Sequence, residues 1–178
     1  MAVAIFGGRF DPPHVGHLAL ARAAVEHFGL DELHVTVVVD AGHKRAVAPA
    51  EHRLAMVRLT FAGLDANVEL ERTRYTVDAL EARSYADPVF LIGSDELAAF
   101  PTWKQPERVL ELARLGVAGR PGWDVEHSSD RIETFELEPH PVSSTEIRER
   151  VRRGEPIAGL VVPAVAAYIA EHDLYRGG

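Results

Sequence analysis

The stretch Gly7-Gly8-Arg9-Phe10-Asp11-Pro12-Pro13-His14-Val15-Gly16-His17 decides the reading of this chain. The apolar run Ala2 to Phe6 before it predicts a short buried strand. After it, Val15, Leu18, Val25 and Phe28 recur at helical spacing, Ala19, Ala21 and Ala24 fill in, and Gly29 is placed to end the helix. A strand, a glycine turn and a helix in that order put the turn at the carboxyl edge of the strand, where open α/β sheets hold their ligands. Two consecutive glycines let a ligand approach the backbone. The helix start offers free N–H groups and a partial positive charge to an anion. His14 and His17, three residues apart, fall on one face of that helix start, and Gly16 keeps space open between them. The spacing matches neither a P-loop nor a GxGxxG fingerprint. Two other readings stay open at this point: a tight turn with simply exposed histidines, and a two-histidine zinc site, for which further ligands are scarce.

Outward from this unit, Leu33 to Val39 is β-branched and almost wholly apolar, as in a strand covered on both faces. Val68-Glu69-Leu70, Val89 to Ile92, Leu115 to Ala118 and Ile132 to Leu137 predict further strands. Glu51 to Phe61, Thr76 to Tyr85, Pro106 to Ala113, Ser143 to Arg153 and Pro163 to His172 predict helices. Residues 40–50 and 122–130 read as loops. Strands alternating with helices predict an α/β fold, a doubly wound parallel sheet with helices on both faces. No repeat or linker divides the chain, so residues 1–178 are expected to form one domain.

Charge narrows the partners. The chain carries 19 Lys+Arg against 27 Asp+Glu, a net charge of −8, which argues against nucleic-acid binding through a broad basic surface. Positive charge is local instead: Lys44, Arg45, Arg53 and Arg58 follow the second strand, and Arg148, Arg150, Arg152 and Arg153 sit on a late helix. Without cysteine, disulfides, thiolate catalysis and Cys-ligated metals are excluded, which fits a cytoplasmic location. Met1 to Phe6 lacks a signal-peptide pattern. The apolar stretch Leu160 to Ala170 is broken by Pro163 and is shorter than the roughly 20 residues of a bilayer span, so no membrane partner is expected.

His14-Val15-Gly16-His17 resembles the HxGH signature of the nucleotidyltransferase superfamily, and the longer stretch Gly7 to Leu18 is similar to the opening of bacterial nicotinate-nucleotide adenylyltransferases. The resemblance implies a Rossmann-like nucleotidyltransferase topology. It implies that Gly7, Gly8, Arg9 and Phe10 help form the ATP site, that His14 and His17 contact ATP phosphates, and that His17 stabilises the transition state. Arg9 departs from the family, which usually has Thr or Ser there; it either supplies charge or obstructs the site. His43-Lys44 resembles a Pro-Pro-His-Lys loop without the prolines, which implies a catalytic Lys44. A point charge on a flexible stem suits a polyphosphate, and a solvated loop lysine is the alternative.

The likeness continues along the chain. Arg74-Tyr75-Thr76-Val77-Asp78-Ala79-Leu80 is similar to Ser-Tyr-Thr-x-Asp-Thr-Leu and implies that Thr76 receives the pyridine nucleotide; Thr76 also suits a helix N-cap. Gly93-Ser94-Asp95 resembles a Gly-x-Asp element, which implies that Gly93 and Asp95 contact nucleotide; a plain helix cap is the other reading of Asp95. Trp103, in the proline-flanked loop Pro101 to Pro106, matches a tryptophan that stacks on the pyridine; a Trp capping the core is the alternative. Arg120-Pro121-Gly122 matches a family turn, which implies Arg120 beside the pyridine nucleotide. Pro141 to Arg148 resembles Ile-Ser-Ser-Thr-x-Ile-Arg and implies that Ser143, Ser144, Thr145 and Arg148 cradle phosphate. Ser143 and Glu146 also have capping-box spacing. Val162 to Tyr175 resembles the family's terminal helix.

The reaction this implies is attack by the 5′-phosphate of nicotinate mononucleotide on the α-phosphorus of ATP, with release of pyrophosphate. Mg²⁺ is expected to ride mainly on the ATP phosphates, because no carboxylate cluster reads as a protein metal site. Asp11 reads as half of a turn-forming Asp-Pro pair. The competing expectations are another adenylyl or cytidylyl acceptor (nicotinamide mononucleotide, phosphopantetheine or a phospho-alcohol) and a non-catalytic nucleotide-binding regulator.

Overall fold

Both faces of β1 (Val3–Gly8) are covered: Ala4 and Phe6 enter one apolar layer and Ile5 the other. The same alternation separates Val89 and Leu91 from Phe90 and Ile92 in β4 (Val89–Gly93). This is why the strands read as continuous apolar runs. The computed structural model describes residues 1–39, 46–122 and 129–177. Most of the two expected loops, including His43 and Lys44, therefore lies outside the described residues.

The sheet has six strands in the order β3-β2-β1-β4-β5-β6, and every pairing is parallel. The remaining strands are β2 (Glu32–Val38), β3 (Ala66–Glu71), β5 (Arg114–Gly119) and β6 (Ile132–Glu136). In chain order the helices are α1 (Val15–Phe28), α2 (Ala50–Thr60), α3 (Thr76–Glu81), α4 (Ser94–Ala99), α5 (Pro106–Leu112), α6 (Ser144–Arg153) and α7 (Pro163–Glu171). Gly29 ends α1 in the left-handed conformation, φ 57°. Helices cover both faces of the sheet, α1 and α2 on one and α3 and α5 on the other. A third apolar cluster joins α2, α6 and α7 through Met56, Ile147, Val165, Ile169 and Tyr175. Among the described residues no helix is long and apolar enough to cross a membrane.

The strand order reverses between β1 and β4, and the register shows the consequence. β1 stays paired with β2 out to Gly8↔Val37, but its pairing with β4 stops at Ile5↔Phe90. Beyond that point the two strands part and open a crevice at their carboxyl ends, the place where such sheets bind ligands. Gly7 sits at the split. A Cβ there would lie 3.2 Å from Thr36 Oγ1 and 3.3 Å from the Phe90 ring.

Two helical features were not foreseen. α4 and the 3₁₀ turn Phe100–Thr102 occupy a stretch whose sequence shows only the Gly93-Ser94-Asp95 element, with a helix cap as its other reading, and a loop from Pro101 to Pro106. Six residues are too few to show a helical period. α3 ends at Glu81 rather than reaching Tyr85. Arg83 folds back onto the Ala79 carbonyl at 2.8 Å, and Tyr85 turns away to hydrogen-bond His34.

Candidate active site

α1 begins with two histidines in place of the usual Ser and Glu of a capping box. The N-cap His14 accepts the Gly16 N–H on Nδ1 at 3.1 Å, and His17 Nδ1 accepts the His14 N–H at 3.1 Å. Each bond satisfies a backbone donor that a helix start leaves free. The two rings stack with centroids 3.7 Å apart and planes 22° from parallel. Gly16 makes room for this. A Cβ there would lie 3.0 Å from His14 Cε1, so its openness serves the His14 ring rather than a ligand.

The cap fixes the chemistry of the pair. Because both Nδ1 atoms accept, each neutral ring carries its proton on Nε2. Burial, followed by the charge of His140, pushes His14 down to about 4. Burial, followed by His14, lowers His17 as well. At neutral pH the pair therefore offers two N–H donors without net charge. The Phe10 ring meets His17 edge-to-face at 5.0 Å, backed by Phe6 and Phe61. Phe10 has φ 50°, a left-handed conformation that costs a residue with a Cβ about 1–2 kcal/mol. Gly8 admits its ring, since a Cβ there would touch it at 3.1 Å.

The histidines line a cleft of about 960 Å³ at the carboxyl edge of the sheet, near the upper end of the roughly 300–1,000 Å³ usual for small-molecule sites. Gly7 and Gly8 line it from β1, Arg9 and Phe10 from the turn after it, Gly93 and Asp95 from β4 and α4, and Arg120 from just beyond β5. Thr76, Trp103 and Ser144 also line it. Trp103 borders the cleft and packs edge-to-face on Phe100 at 5.3 Å and Phe90 at 6.1 Å.

Other expected residues sit elsewhere. Ser143, Thr145 and Arg148 are not among the residues lining the cleft. Ser143 Oγ caps α6 by accepting the Glu146 N–H at 3.1 Å. The reciprocal half of that box is not made, because Glu146 pairs with Arg150 one turn on. Arg148 donates to the Asp11 carbonyl at 2.7 Å, and Ser144 Oγ donates to the Pro12 carbonyl at 2.8 Å, so α6 is pinned to the histidine turn. Thr76 is not the N-cap of α3; Tyr75 holds that position. Asp95 lies in the first turn of α4, while Glu96 Oε2 accepts the Gly93 N–H at 2.8 Å.

Two corrections concern charge. Arg53 adds no charge to the cleft wall. It is buried and donates to the carbonyls of Ala48, Arg9, Val38 and Val39 at 2.8–3.2 Å. Asp11 is more than a turn residue. Its carboxylate is buried and accepts the Val47 N–H, the Ala48 N–H and the Tyr175 hydroxyl.

Several cleft residues went unread in the sequence. His140 lines the cleft just before the Ser143 helix start, and that adjacency was its only sequence signal. Tyr75, 44% exposed, is overlain by the Lys104 ammonium 4.9 Å from its ring centre, and Lys104 binds both oxygens of Asp78 at 2.7 and 2.9 Å. Glu71 accepts from Arg83 at 2.6 Å and from the Thr73 N–H and hydroxyl. Burial alone would raise its carboxyl; these donors outweigh burial and hold it below the ordinary value. The network braces the segment between β3 and α3.

A divalent ion finds no cage here. Among the described residues no three His, Asp or Glu side chains gather to hold one. The Asp11 carboxylate, next to the histidines, already has its three donors. Among the described residues, this donor set does not build a site for a resident divalent ion.

Comparison with known proteins agrees with this geometry. The cytidylyltransferase-like family pattern matches residues 5–150. The chain is 40% identical to the "Probable nicotinate-nucleotide adenylyltransferase" of Albidiferax ferrireducens, with 98% of each chain covered. It is also 40% identical to the protein of the same name from Gemmatimonas aurantiaca, over 99% of this chain and 93% of that one. In fold it is similar to the Plasmodium falciparum nicotinic acid mononucleotide adenylyltransferase complexed with NaAD, with a TM-score of 0.81, 18% identity, and 98% and 97% of the two chains covered. The chain belongs to the cytidylyltransferase-like family and, within it, to the nicotinate-nucleotide adenylyltransferases.

Proposed function

We infer that this protein transfers the adenylyl group of ATP to nicotinate mononucleotide, giving pyrophosphate and the deamido dinucleotide precursor of NAD. The observation that carries the reading is the capped, neutral histidine pair at the mouth of the β1–β4 crevice, in a cleft that Thr76 and Trp103 also line. We take residues 1–178 as a single nucleotidyltransferase domain acting in the cytoplasm.

The attacking group is the 5′-phosphate of the mononucleotide. Its second pKa, near 6, leaves it largely dianionic at neutral pH, so no general base is needed. What the protein supplies is position and donors for the phosphate charge. On this reading His14 and His17 donate through Nε2–H to phosphate oxygens, with His17 stabilising the transition state, and the helix start at α1 adds its dipole. Gly7 and Gly8 let the nucleotide lie against the backbone, while Arg9, Phe10, Gly93, Asp95 and Ser144 shape the ATP side. Ser143, Thr145 and Arg148 act through the α6 start. Lys44 remains assigned to phosphate by its motif alone.

The acceptor is placed by Thr76, Trp103 and Arg120. Arg74 lines the same cleft, and a guanidinium in reach of the pyridine would favour a carboxylate over a carboxamide. Nucleotidyltransferases of this type generally use a divalent metal, and we assign Mg²⁺ to it. Bound to the triphosphate, the ion would neutralise charge there. Chelation is therefore expected to abolish turnover, and added Mg²⁺ to restore it, without altering the protein's melting temperature.

The test compares kcat/KM for nicotinate mononucleotide and nicotinamide mononucleotide with ATP. The nicotinate form is expected to lead by about tenfold or more, the worth of one well-placed charged contact. Equal or reversed preference contradicts the acceptor assignment. ATP binding with no pyrophosphate release from any acceptor contradicts catalysis itself.

A further inference from the structure

We propose that Asp11 and Tyr175 are positioning residues for the histidine turn: the buried Asp11 carboxylate, with the Tyr175 hydroxyl as one of its three donors, holds that turn in register with the chain after β2 and with α6. The inference rests on the reading of the cleft as the adenylyl-transfer site.

Asp11 is 2% exposed. Its Oδ2 accepts the Val47 N–H at 2.6 Å, and its Oδ1 accepts the Ala48 N–H at 3.1 Å and the Tyr175 hydroxyl at 2.8 Å. Its carbonyl accepts from Arg148 at 2.7 Å. On either side, the Arg9 carbonyl accepts from Arg53 and the Pro12 carbonyl from Ser144, both at 2.8 Å. Three carbonyls of the turn, those of Arg9, Asp11 and Pro12, and one carboxylate are thus gripped from the residue 47–48 segment, α2, α6 and the stretch after α7. His14, three residues beyond Asp11, starts α1 from this anchored base.

Tyr175 reaches Asp11 across 164 residues of sequence. Its backbone is left-handed, φ 66°, and its ring is buried at 6% exposure in the α2–α6–α7 cluster. Burial, then the Asp11 charge, raises its hydroxyl well above the ordinary range, so it stays protonated and donates. A tyrosine held this way delivers one hydrogen bond to Asp11 at the base of the histidine turn and is not itself among the residues lining the cleft. Displacing a phosphate-contacting group by about 1 Å is enough to cost on the order of a hundredfold in rate.

The probe is Tyr175→Phe, which keeps the ring and removes only the hydroxyl. The expected result is a roughly tenfold fall in kcat and a several-fold weaker affinity, by calorimetry, for an α,β-methylene ATP analogue with Mg²⁺. KM for nicotinate mononucleotide stays within about twofold, because Thr76 and Trp103 make no contact with Asp11. Asp11→Asn is expected to lose more, since its amide sets a donor against an N–H, and the double variant to lose no more kcat than Asp11→Asn alone. If Asp11→Asn does not fold, Tyr175→Phe decides alone. Unchanged kcat and unchanged analogue affinity in Tyr175→Phe overturn the inference, even if the melting temperature falls. A wild type that binds the analogue but transfers no adenylyl group overturns the functional reading instead, while weaker analogue binding by Tyr175→Phe still upholds the positioning role.

Discussion

His14 and His17 cap one another's helix start: His17 Nδ1 takes the His14 N–H, and His14 Nδ1 takes the Gly16 N–H. The same two bonds that begin α1 also fix which ring nitrogen keeps its proton. Local structure and the chemistry of the site are therefore one arrangement. Substitutions that keep the cap while removing Nε2–H separate the two roles.

Stability should fall on mild acidification. The His14 pKa is lowered from 6.5 to about 4 in the folded protein, and that of His17 is also lowered. Between those values the unfolded chain binds more protons than the folded one, so this contribution is complete above about pH 6.5 and is lost as pH falls toward 4. For His14 alone it amounts to no more than about 3 kcal/mol. Thermal melts from pH 7.5 to 5 should show the decline, reduced in His14→Asn. Between pH 7 and 8 neither histidine titrates, and kcat should show no histidine step there.

His14→Asn tests the cap against the donor. Asparagine is among the best N-cap residues and should accept the Gly16 N–H in place of Nδ1. Melting should change little, because a lost cap would cost about 1 kcal/mol and none is lost. Removing the Nε2 donor should lower kcat by roughly a hundredfold. Steady-state kinetics beside a melting curve checks both halves.

Gly16→Ala should not deliver the stability that helix propensity suggests. Alanine gains up to about 1 kcal/mol over glycine inside a helix. Its Cβ would, however, lie 3.0 Å from His14 Cε1 and 3.1 Å from Nδ1, so the ring must shift and the 3.1 Å bond to the Gly16 N–H weakens. The two effects nearly cancel in stability, and turnover should drop about tenfold or more. Melting and kcat measured on one preparation would reveal the split.

Trp103→Ala should act mainly on the acceptor. Its ring borders the cleft and also packs against Phe90 and Phe100. KM for nicotinate mononucleotide should rise about tenfold, the worth of one stacked aromatic contact, with a stability loss of about 1–2 kcal/mol. KM for ATP should hold. Trp103→Phe should recover most of the stability and part of the binding.

The sheet and its cleft were legible because each strand announces itself locally. Leu33 to Val39 and Val89 to Ile92 are unbroken apolar runs, and both proved to be central strands. The histidine pair was legible as a shared face, yet its capping role was not, because the usual box is written in Ser, Thr, Glu and Gln. In sequence Arg53 is one of several cations that follow the second strand, and only the folded chain shows its donors spent on four carbonyls. Asp11 looked like a turn residue because its partners lie 36, 37 and 164 positions away. Contacts of that range leave no trace in a window of sequence.

The most direct test is the initial rate of pyrophosphate release from ATP and nicotinate mononucleotide, measured for the wild type and for His17→Gln. Glutamine at this position can still reach back to the His14 N–H, so the helix start should survive. The wild type is expected to turn over, and His17→Gln to be roughly 10²–10³-fold slower with its melting temperature preserved. A folded His17→Gln working near the wild-type rate, or a wild type that releases no pyrophosphate, would contradict the account.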